Sequence, residues 1–298
     1  MIISIGQLNT TVGDMEGNVA KMLAAARQGH ERGAELILFP EMAVCGYPPR
    51  DLVQVNGFAE SNRRWLLEFA RCLPKTITAV AGFVARSTGK SGKPFINAAA
   101  VLRGGKVVYE QAKVLLPTYD VFDEMRNFEP GQKLKPFRAA GQSIGLTICE
   151  DCWNDKYFWK RRLYDRDPVA EILRTKPRLL INISASPYAS GRRAFRQEMF
   201  GAIARRYKIP IVFTNLVGGN DSLVFDGSSF VMNSSGKVVA QAKSFEEDLL
   251  VVDLAAKAAP YVAPGESETE AIFNALVLGT RDYCRKCGFE RAVVGLSG

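Results

Sequence analysis

The amino-acid sequence predicts an α/β fold with roughly ten strands. Residues 1–8 are apolar and β-branched, 18–32 have helical periodicity, and 35–39 form a second apolar run, which gives one β–α–β unit. Gly104–Gly105 between two apolar runs is typical of a hairpin turn, so antiparallel strands are expected as well. Two mixed sheets packed face to face with helices outside satisfy this pattern, and a Rossmann-like open sheet fits it almost as well.

The same criteria place the remaining elements along the chain. Helices are predicted at 63–73, 168–176, 195–207 and 266–287. Strands are predicted at 77–84, 98–103, 106–113, 144–149, 179–184, 209–216, 222–225, 229–233, 237–242 and 249–253. Residues 255–264 indicate a linker, and Ala292–Gly298 predicts a short strand that runs into a glycine turn. No Gly-x-Gly-x-x-Gly follows the first strand, which argues against a dinucleotide site there.

Charge and composition exclude several classes of function. The chain has 39 Lys and Arg against 31 Asp and Glu, a net charge of +8, but the basic residues are scattered. A nucleic-acid binder needs them clustered on one face, so no nucleic-acid partner is expected. No apolar run reaches the roughly 18 residues of a membrane span, and the N-terminus does not resemble a secretory signal. We therefore expect no membrane partner, a cytoplasmic location and six reduced cysteines.

Polar residues at the ends of three apolar runs are candidates for catalysis. Glu41 follows LILFP, Lys113 follows VVYEQA, and Cys149 follows IGLTI. Singly, they have ordinary interpretations: a solvated carboxylate, a surface lysine and a small buried thiol. Together they fit amide hydrolysis, which needs a nucleophile, a proton shuttle and an oxyanion donor. Because His30 is the single histidine, the base of a cysteine nucleophile is expected to be a carboxylate or a lysine.

Two Cys-x-x-Cys pairs, Cys149–Cys152 and Cys284–Cys287, invite a redox or zinc interpretation. The acidic residues inside the first pair raise thiol pKa values, and the second pair lies on a predicted helix without a partner pair. We therefore expect no metal site.

The segments around the three candidates resemble the nitrilase, or carbon–nitrogen hydrolase, superfamily. They read FPEMAVCGYPPRDL, AKVLLPTYDVFDEMRNFEPG and ICEDCW, in the order of that superfamily, and the resemblance covers roughly residues 1–260. It implies a four-layer α–β–β–α sandwich in which Glu41 is the base, Lys113 stabilises the oxyanion and Cys149 is the nucleophile. Glu124 is implied to orient Lys113.

A narrower resemblance links YPPRDL, LPTYDVFDEMRNFEPG, ICEDCW and NISASPYASGRR to the glutaminase domains of glutamine-dependent NAD synthetases, and the C-terminal VVGLSG resembles the start of the ATP loop that opens their synthetase domains. It implies that L-glutamine is held by Tyr119, Ser186, Arg192 and Glu150, with Trp153 nearby. Residues 261–298 are implied to begin a synthetase domain whose ATP loop opens with Gly295, Leu296, Ser297 and Gly298.

In such a protein the hydrolase domain needs no cofactor, while a C-terminal synthetase domain uses ATP, Mg²⁺ and deamido-NAD, and a homo-oligomer is expected. Two alternatives stay open. One is a free-standing amidase or carbamoylase of the same superfamily. The other is a catalytically inactive binding module on the same fold.

Overall fold

The computed structural model describes residues 1–256, 261 and 265–298, with strands numbered here along the chain. The first of two six-stranded sheets contains β1 (Ile2–Gln7), β2 (Leu36–Leu38), β3 (Thr78–Arg86), β4 (Phe95–Arg103), β5 (Lys106–Ala112) and β14 (Asp248–Asp253). Their order is β14-β1-β2-β3-β4-β5, with β1, β2 and β3 parallel and the other pairs antiparallel. Gly104 and Gly105 make the predicted hairpin turn between β4 and β5, both with positive φ.

The second sheet contains β6 (Phe137–Ala139), β7 (Gln142–Ile148), β8 (Leu179–Ser184), β9 (Ile211–Asn215), β12 (Phe230–Met232) and β13 (Val238–Gln241). Its order is β13-β12-β9-β8-β7-β6, and β7, β8 and β9 are parallel. A separate hairpin is formed by β10 (Val217–Asn220) and β11 (Leu223–Asp226).

The two sheets face each other across an apolar core, and helices cover their outer faces. Side chains such as Ile5 and Leu38 of the first sheet pack with Leu146 and Ile181 of the second. Helices α1 (Met15–Glu31) and α2 (Phe58–Cys72) cover the first sheet, while α3 (Pro168–Leu173) and α4 (Arg192–Tyr207) cover the second. The four-layer α–β–β–α sandwich is thus confirmed, and the Rossmann-like alternative is wrong. Strands buried on both faces, such as β8, are what this layering requires.

Differences from the predicted elements concentrate in short or terminal segments. Strands β6 and β10 were not predicted; β6 has three residues and β10 contains two glycines, so neither shows a clear apolar alternation. Helix α5 (Glu268–Lys286) forms as predicted and begins with a capping box between Ser267 and Glu270. The short strand predicted within 292–298 does not form: these residues are exposed and have no regular structure, and no strand in the described part of the chain pairs with them. Most of the predicted linker at 255–264 lies outside the described residues.

Within the part of the chain that the structure describes, no helix combines the length and apolar composition needed to cross a membrane.

Candidate active site

Three strand ends bring the candidate catalytic residues close to one another. Glu41 lies just beyond β2, Lys113 directly follows β5, and Cys149 directly follows β7. The chain around Glu41 passes close over Gly82 of β3, where a Cβ atom would lie 2.6 Å from the Cα of Glu41. A larger residue at position 82 would therefore displace the Glu41 segment.

Lys113 lies between two carboxylates in the interior. Its Nζ donates to Oε1 of Glu41 at 2.7 Å and to Oε1 of Glu124 at 2.7 Å, and all three side chains are buried. Burial acts to lower the pKa of Lys113, but Glu124 and Glu41 outweigh it and raise this pKa well above its ordinary value. Lys113 is therefore a fixed positive charge at this site.

Each carboxylate also accepts neutral donors. Oε2 of Glu41 accepts the backbone N–H of Ala185 at 2.9 Å, and Oε1 of Glu124 accepts the hydroxyl of Tyr47 at 3.0 Å. The side-chain amide of Asn97 donates to Glu41 at 2.6 Å and to Glu124 at 3.2 Å. These hydrogen bonds satisfy the carboxylate oxygens that the single ammonium group leaves free, as burial requires.

Cys149 occupies a sharp turn between β7 and a short 3₁₀ helix at Cys149–Cys152. Its φ of +42° is unusual for a residue with a side chain, and such strain is found where a side chain must be aimed. Asp151 holds the turn, since Oδ2 accepts the N–H of Ile148 at 3.0 Å while Oδ1 accepts those of Val114 and Leu115 at 2.9 Å. One carboxylate thereby ties the turn of the thiol to the backbone that follows Lys113.

The Cys149 thiol is protonated at rest. Burial raises its pKa well above the ordinary value, the Glu41 charge raises it further, and Lys113 acts in the opposite direction. A thiol in this state needs a base before it attacks a substrate. Of the carboxylates that raise this pKa, Glu41 has the largest effect.

A cavity of about 210 Å³ leads to Cys149. All five predicted substrate contacts line it. The lining residues are Tyr119, Asp120, Val121, Phe122, Cys149, Glu150, Trp153, Ser186, Pro187, Tyr188, Ala189, Arg192, Ser222, Leu223 and Val224. Typical sites for drug-sized ligands start near roughly 300 Å³, so this cavity suits a small metabolite.

Opposite charges lie on the cavity wall. The hydroxyls of Tyr119 and Tyr164 both donate to Oε1 of Glu150, at 2.9 and 3.0 Å. The guanidinium of Arg192 lies over the Trp153 ring, 5.2 Å from its centre, which is a cation–π distance. The cavity thus presents one anchored carboxylate and one anchored cation.

A family model described as carbon–nitrogen hydrolase matches residues 2–261, which include the Glu41, Lys113 and Cys149 segments. The chain belongs to the carbon–nitrogen hydrolase family.

Two similar proteins are about twice as long as the region that this chain matches. A glutamine-dependent NAD(+) synthetase of Synechocystis sp. is 38% identical over 304 residues, which cover 99% of this chain and 54% of that protein. One from Thermotoga maritima is 35% identical over 334 residues, covering 99% and 55%. The chain spans about half the length of the curated relatives that it matches.

Solved structures agree with the fold. The glutamine-dependent NAD+ synthetase of Acinetobacter baumannii, solved in complex with adenosine diphosphate, has a TM-score of 0.83 and 32% identity, covering 95% of this chain and 52% of that one. An amidase from Nesterenkonia sp. has a TM-score of 0.72 and 24% identity, covering 85% and 90%, and shares the sandwich architecture.

The structure of this carbon–nitrogen hydrolase separates the predicted residues into three groups. Glu41, Lys113 and Glu124 are in direct contact. The group that lines the cavity is Tyr119, Cys149, Glu150, Trp153, Ser186 and Arg192. The third group is the predicted ATP loop, whose residues are exposed and do not line the cavity or contact Lys113. They are Gly295, Leu296, Ser297 and Gly298.

Sequence reasoning missed four residues that contact this site. They are Tyr47, Asn97, Asp151 and Tyr164. Asn97 had a visible signal, since it is an amide inside the otherwise apolar run FINAAAV. Among the described residues, no cluster of three or more His, Cys, Asp or Glu side chains has the arrangement of a metal site.

The raised pKa of Glu124 predicts a pH-dependent stability. Burial raises this pKa from 4.5 to about 7, against the opposing effect of Lys113. The folded state then holds a proton that the unfolded state releases, so the stabilisation is complete below about pH 4.5 and is lost as pH rises through about 7. The shift corresponds to roughly 3 kcal/mol. Glu124→Gln should remove this loss, so urea unfolding at about pH 5 and about pH 8 should show a smaller difference than in the wild type.

Glu110→Gln serves as the matched control, because Glu110 pairs with Arg63 on the surface and should leave the difference unchanged. An equal pH difference in the wild type and in Glu124→Gln would contradict the assignment of this titration to Glu124.

Proposed function

We propose that this chain is a glutamine amidohydrolase that releases ammonia for a linked synthetase reaction. The observation that carries the proposal is the cavity in which Cys149 lies beside one anchored carboxylate, Glu150, and one anchored cation, Arg192. A free α-amino acid with a side-chain carboxamide presents the complementary charges. Glutamine is the amide donor that the relatives' names specify, which supports this choice.

In the proposed reaction, Glu41 accepts the thiol proton and the Cys149 thiolate attacks the carboxamide carbon. The oxyanion is stabilised by the Lys113 charge and by the backbone N–H of Glu150 at the start of its helical turn. Glu41 then passes the proton to the departing nitrogen, which leaves as ammonia, and a thioester remains on Cys149. Glu41 next takes a proton from water, the hydroxide attacks the thioester, and glutamate leaves as the thiol is restored.

The charged cavity wall would bind the amino-acid end of glutamine. Both tyrosines donate to Oε1 of Glu150, and we assign Oε2 to the α-ammonium of the substrate. Arg192 is assigned to the α-carboxylate, which it can meet with two parallel hydrogen bonds. Burial raises the pKa of Glu150 while the hydroxyls of Tyr119 and Tyr164 lower it, so a bound ammonium favours the charged carboxylate further. Ser186 and Tyr119 would complete the contacts.

The same proposal covers the domains, the synthetase reaction and the assembly of the whole protein. Residues 1–260 would form the hydrolase domain, and 261–298 would begin a synthetase domain that uses ATP and Mg²⁺ to convert deamido-NAD to NAD. We further propose a homo-oligomer in the cytoplasm. The half-length coverage of NAD(+) synthetases supports the two-domain organisation. The alternative, a free-standing amidase, has less support because the relatives with the higher identity are synthetases.

Substrate comparison tests the proposal. The purified chain should release ammonia from glutamine with a kcat/KM at least about 10³-fold above that for propionamide, which has the same reacting group but neither charge. Ammonia and glutamate would be measured together, since hydrolysis yields them in equal amounts. Propionamide hydrolysis at equal efficiency would favour the free-standing amidase. Absence of ammonia from both, with no covalent labelling of Cys149, would favour a binding module.

A further inference from the structure

Asn97 touches every charged member of the lysine site. It lies on β4 with a side chain only 1% exposed, and its Nδ2 donates to Glu41 and Glu124 at 2.6 and 3.2 Å. The main-chain carbonyl oxygen of Asn97 accepts the backbone N–H of Lys113 at 2.8 Å. One residue therefore contacts both carboxylates through its side chain and the lysine through its main chain.

The orientation of the Asn97 amide is forced by these carboxylates. Its Oδ1 is buried and has no hydrogen-bond donor among the residues that the structure describes. A flip of the amide would turn Oδ1 toward two carboxylates, so repulsion forbids it. The fold thus directs both N–H groups at Glu41 and Glu124, while no described protein residue donates to Oδ1.

The charges around Glu41 explain what this arrangement achieves. The groups that face it are the ammonium of Lys113, the carboxylates of Glu124 and Glu150, the thiol of Cys149 and the hydroxyl of Tyr47. Two buried carboxyl groups share the single ammonium of Lys113. A second lysine at position 97 would neutralise the base. A neutral amide instead supplies two hydrogen atoms, and hydrogen bonds donated to a carboxylate favour its charged form.

We propose that Asn97 is a positioning residue that fixes the Glu41 carboxylate for proton transfer from Cys149 while it keeps Glu124 on Lys113. The inference rests on the proposed proton transfer from Cys149 to Glu41. It adds a residue that touches neither substrate nor thiol and acts only through the two carboxylates to which it donates.

Two substitutions test this role. Asn97→Leu keeps the approximate volume and removes both donors, while Asn97→Ser retains one donor. We expect Asn97→Leu to lower kcat on glutamine about 10²-fold with KM changed less than about threefold, because a misplaced base affects the chemical step. The acidic limb of the kcat/KM profile should move up by about one pH unit, and Asn97→Ser should lie between this variant and the wild type.

Asn62→Leu is the matched control. Asn62 is likewise fully buried, and it accepts the N–H of Val84 away from the lysine site. Asn62→Leu should reduce the unfolding temperature without moving the acidic limb of the kcat/KM profile. If Asn97→Leu fails to fold, Asn97→Ser provides the test. Its acidic limb should move in the same direction by a smaller amount.

A second measurement separates this proposal from the choice of substrate. The pH dependence of Cys149 alkylation by iodoacetamide, followed by mass spectrometry, reports proton transfer from the thiol without any need for glutamine. A wild type that alkylates normally but does not hydrolyse glutamine would overturn the proposed function alone. Acidic limbs and alkylation profiles that are unchanged in folded Asn97→Leu or Asn97→Ser would overturn the role of Asn97.

Discussion

Cys149→Ala is expected to lower glutamine hydrolysis by at least about 10⁴-fold, because removal of a covalent nucleophile leaves only binding and oxyanion stabilisation. Glu41 and Lys113 cannot take its place: the carboxylate is held by three donors, and the ammonium is protonated between two carboxylates. Steady-state ammonia release with saturating glutamine measures the effect. Substrate binding should persist, since Glu150 and Arg192 are unchanged.

Cys152→Ala is the matched control for this experiment. Cys152 is also buried and lies only three residues further on, but its sulfur contacts the hydroxyl of Thr147 at 3.2 Å rather than the lysine site. Its loss should change the rate less than about tenfold, through small packing effects.

Mass spectrometry gives an independent result for the same variant. A diazo-ketone analogue of glutamine should add covalently to Cys149 in the wild type and in Cys152→Ala, and should leave Cys149→Ala unmodified. Ammonia release by Cys149→Ala at the rate of the wild type would refute the assignment of the nucleophile.

Local patterns in the sequence predicted the elements but not how the sheets stack. Apolar runs such as LLINIS identify a buried strand, and β8 forms at that position with six buried residues. Periodicity contains no information on which faces of two sheets meet, so an open sheet and a sandwich remained equivalent until the family resemblance separated them. The strand predicted at 292–298 illustrates the converse, since a β-prone run forms no strand without a neighbour to pair with.

Some residues of the candidate site are visible in the sequence pattern and others are not. Glu41, Lys113 and Cys149 stood out because each follows an apolar strand, where side chains of α/β proteins converge. Asp151 did not, because its role depends on N–H groups of Val114 and Leu115, which lie 37 and 36 residues away along the chain. Hydrogen bonds between distant segments follow from the packing of the sheets and leave no local pattern.

Lys113→Met is expected to be the most destabilising single change at this site. Methionine fills much the same space, so the loss is chiefly electrostatic: Glu41 and Glu124 would remain buried without their shared cation. Removal of one partner from a buried ion pair costs about 3–5 kcal/mol, which for a chain of this size corresponds to a fall in Tm on the order of 10 °C. Glutamine hydrolysis should be lost as well, because the oxyanion loses its charge partner.

The pH dependence of this loss distinguishes it from a packing defect. Protonation of Glu124 removes one of the unpaired charges, so the deficit in unfolding free energy should be largest above about pH 7 and should shrink as pH falls. Lys113→Met combined with Glu124→Gln should recover part of the deficit, since only one unpaired carboxylate then remains. Lys133→Met, on the exposed surface, serves as the control with no expected loss. A deficit of the same size at every pH, which the second substitution does not reduce, would show that Lys113 stabilises the fold by packing rather than by its charge.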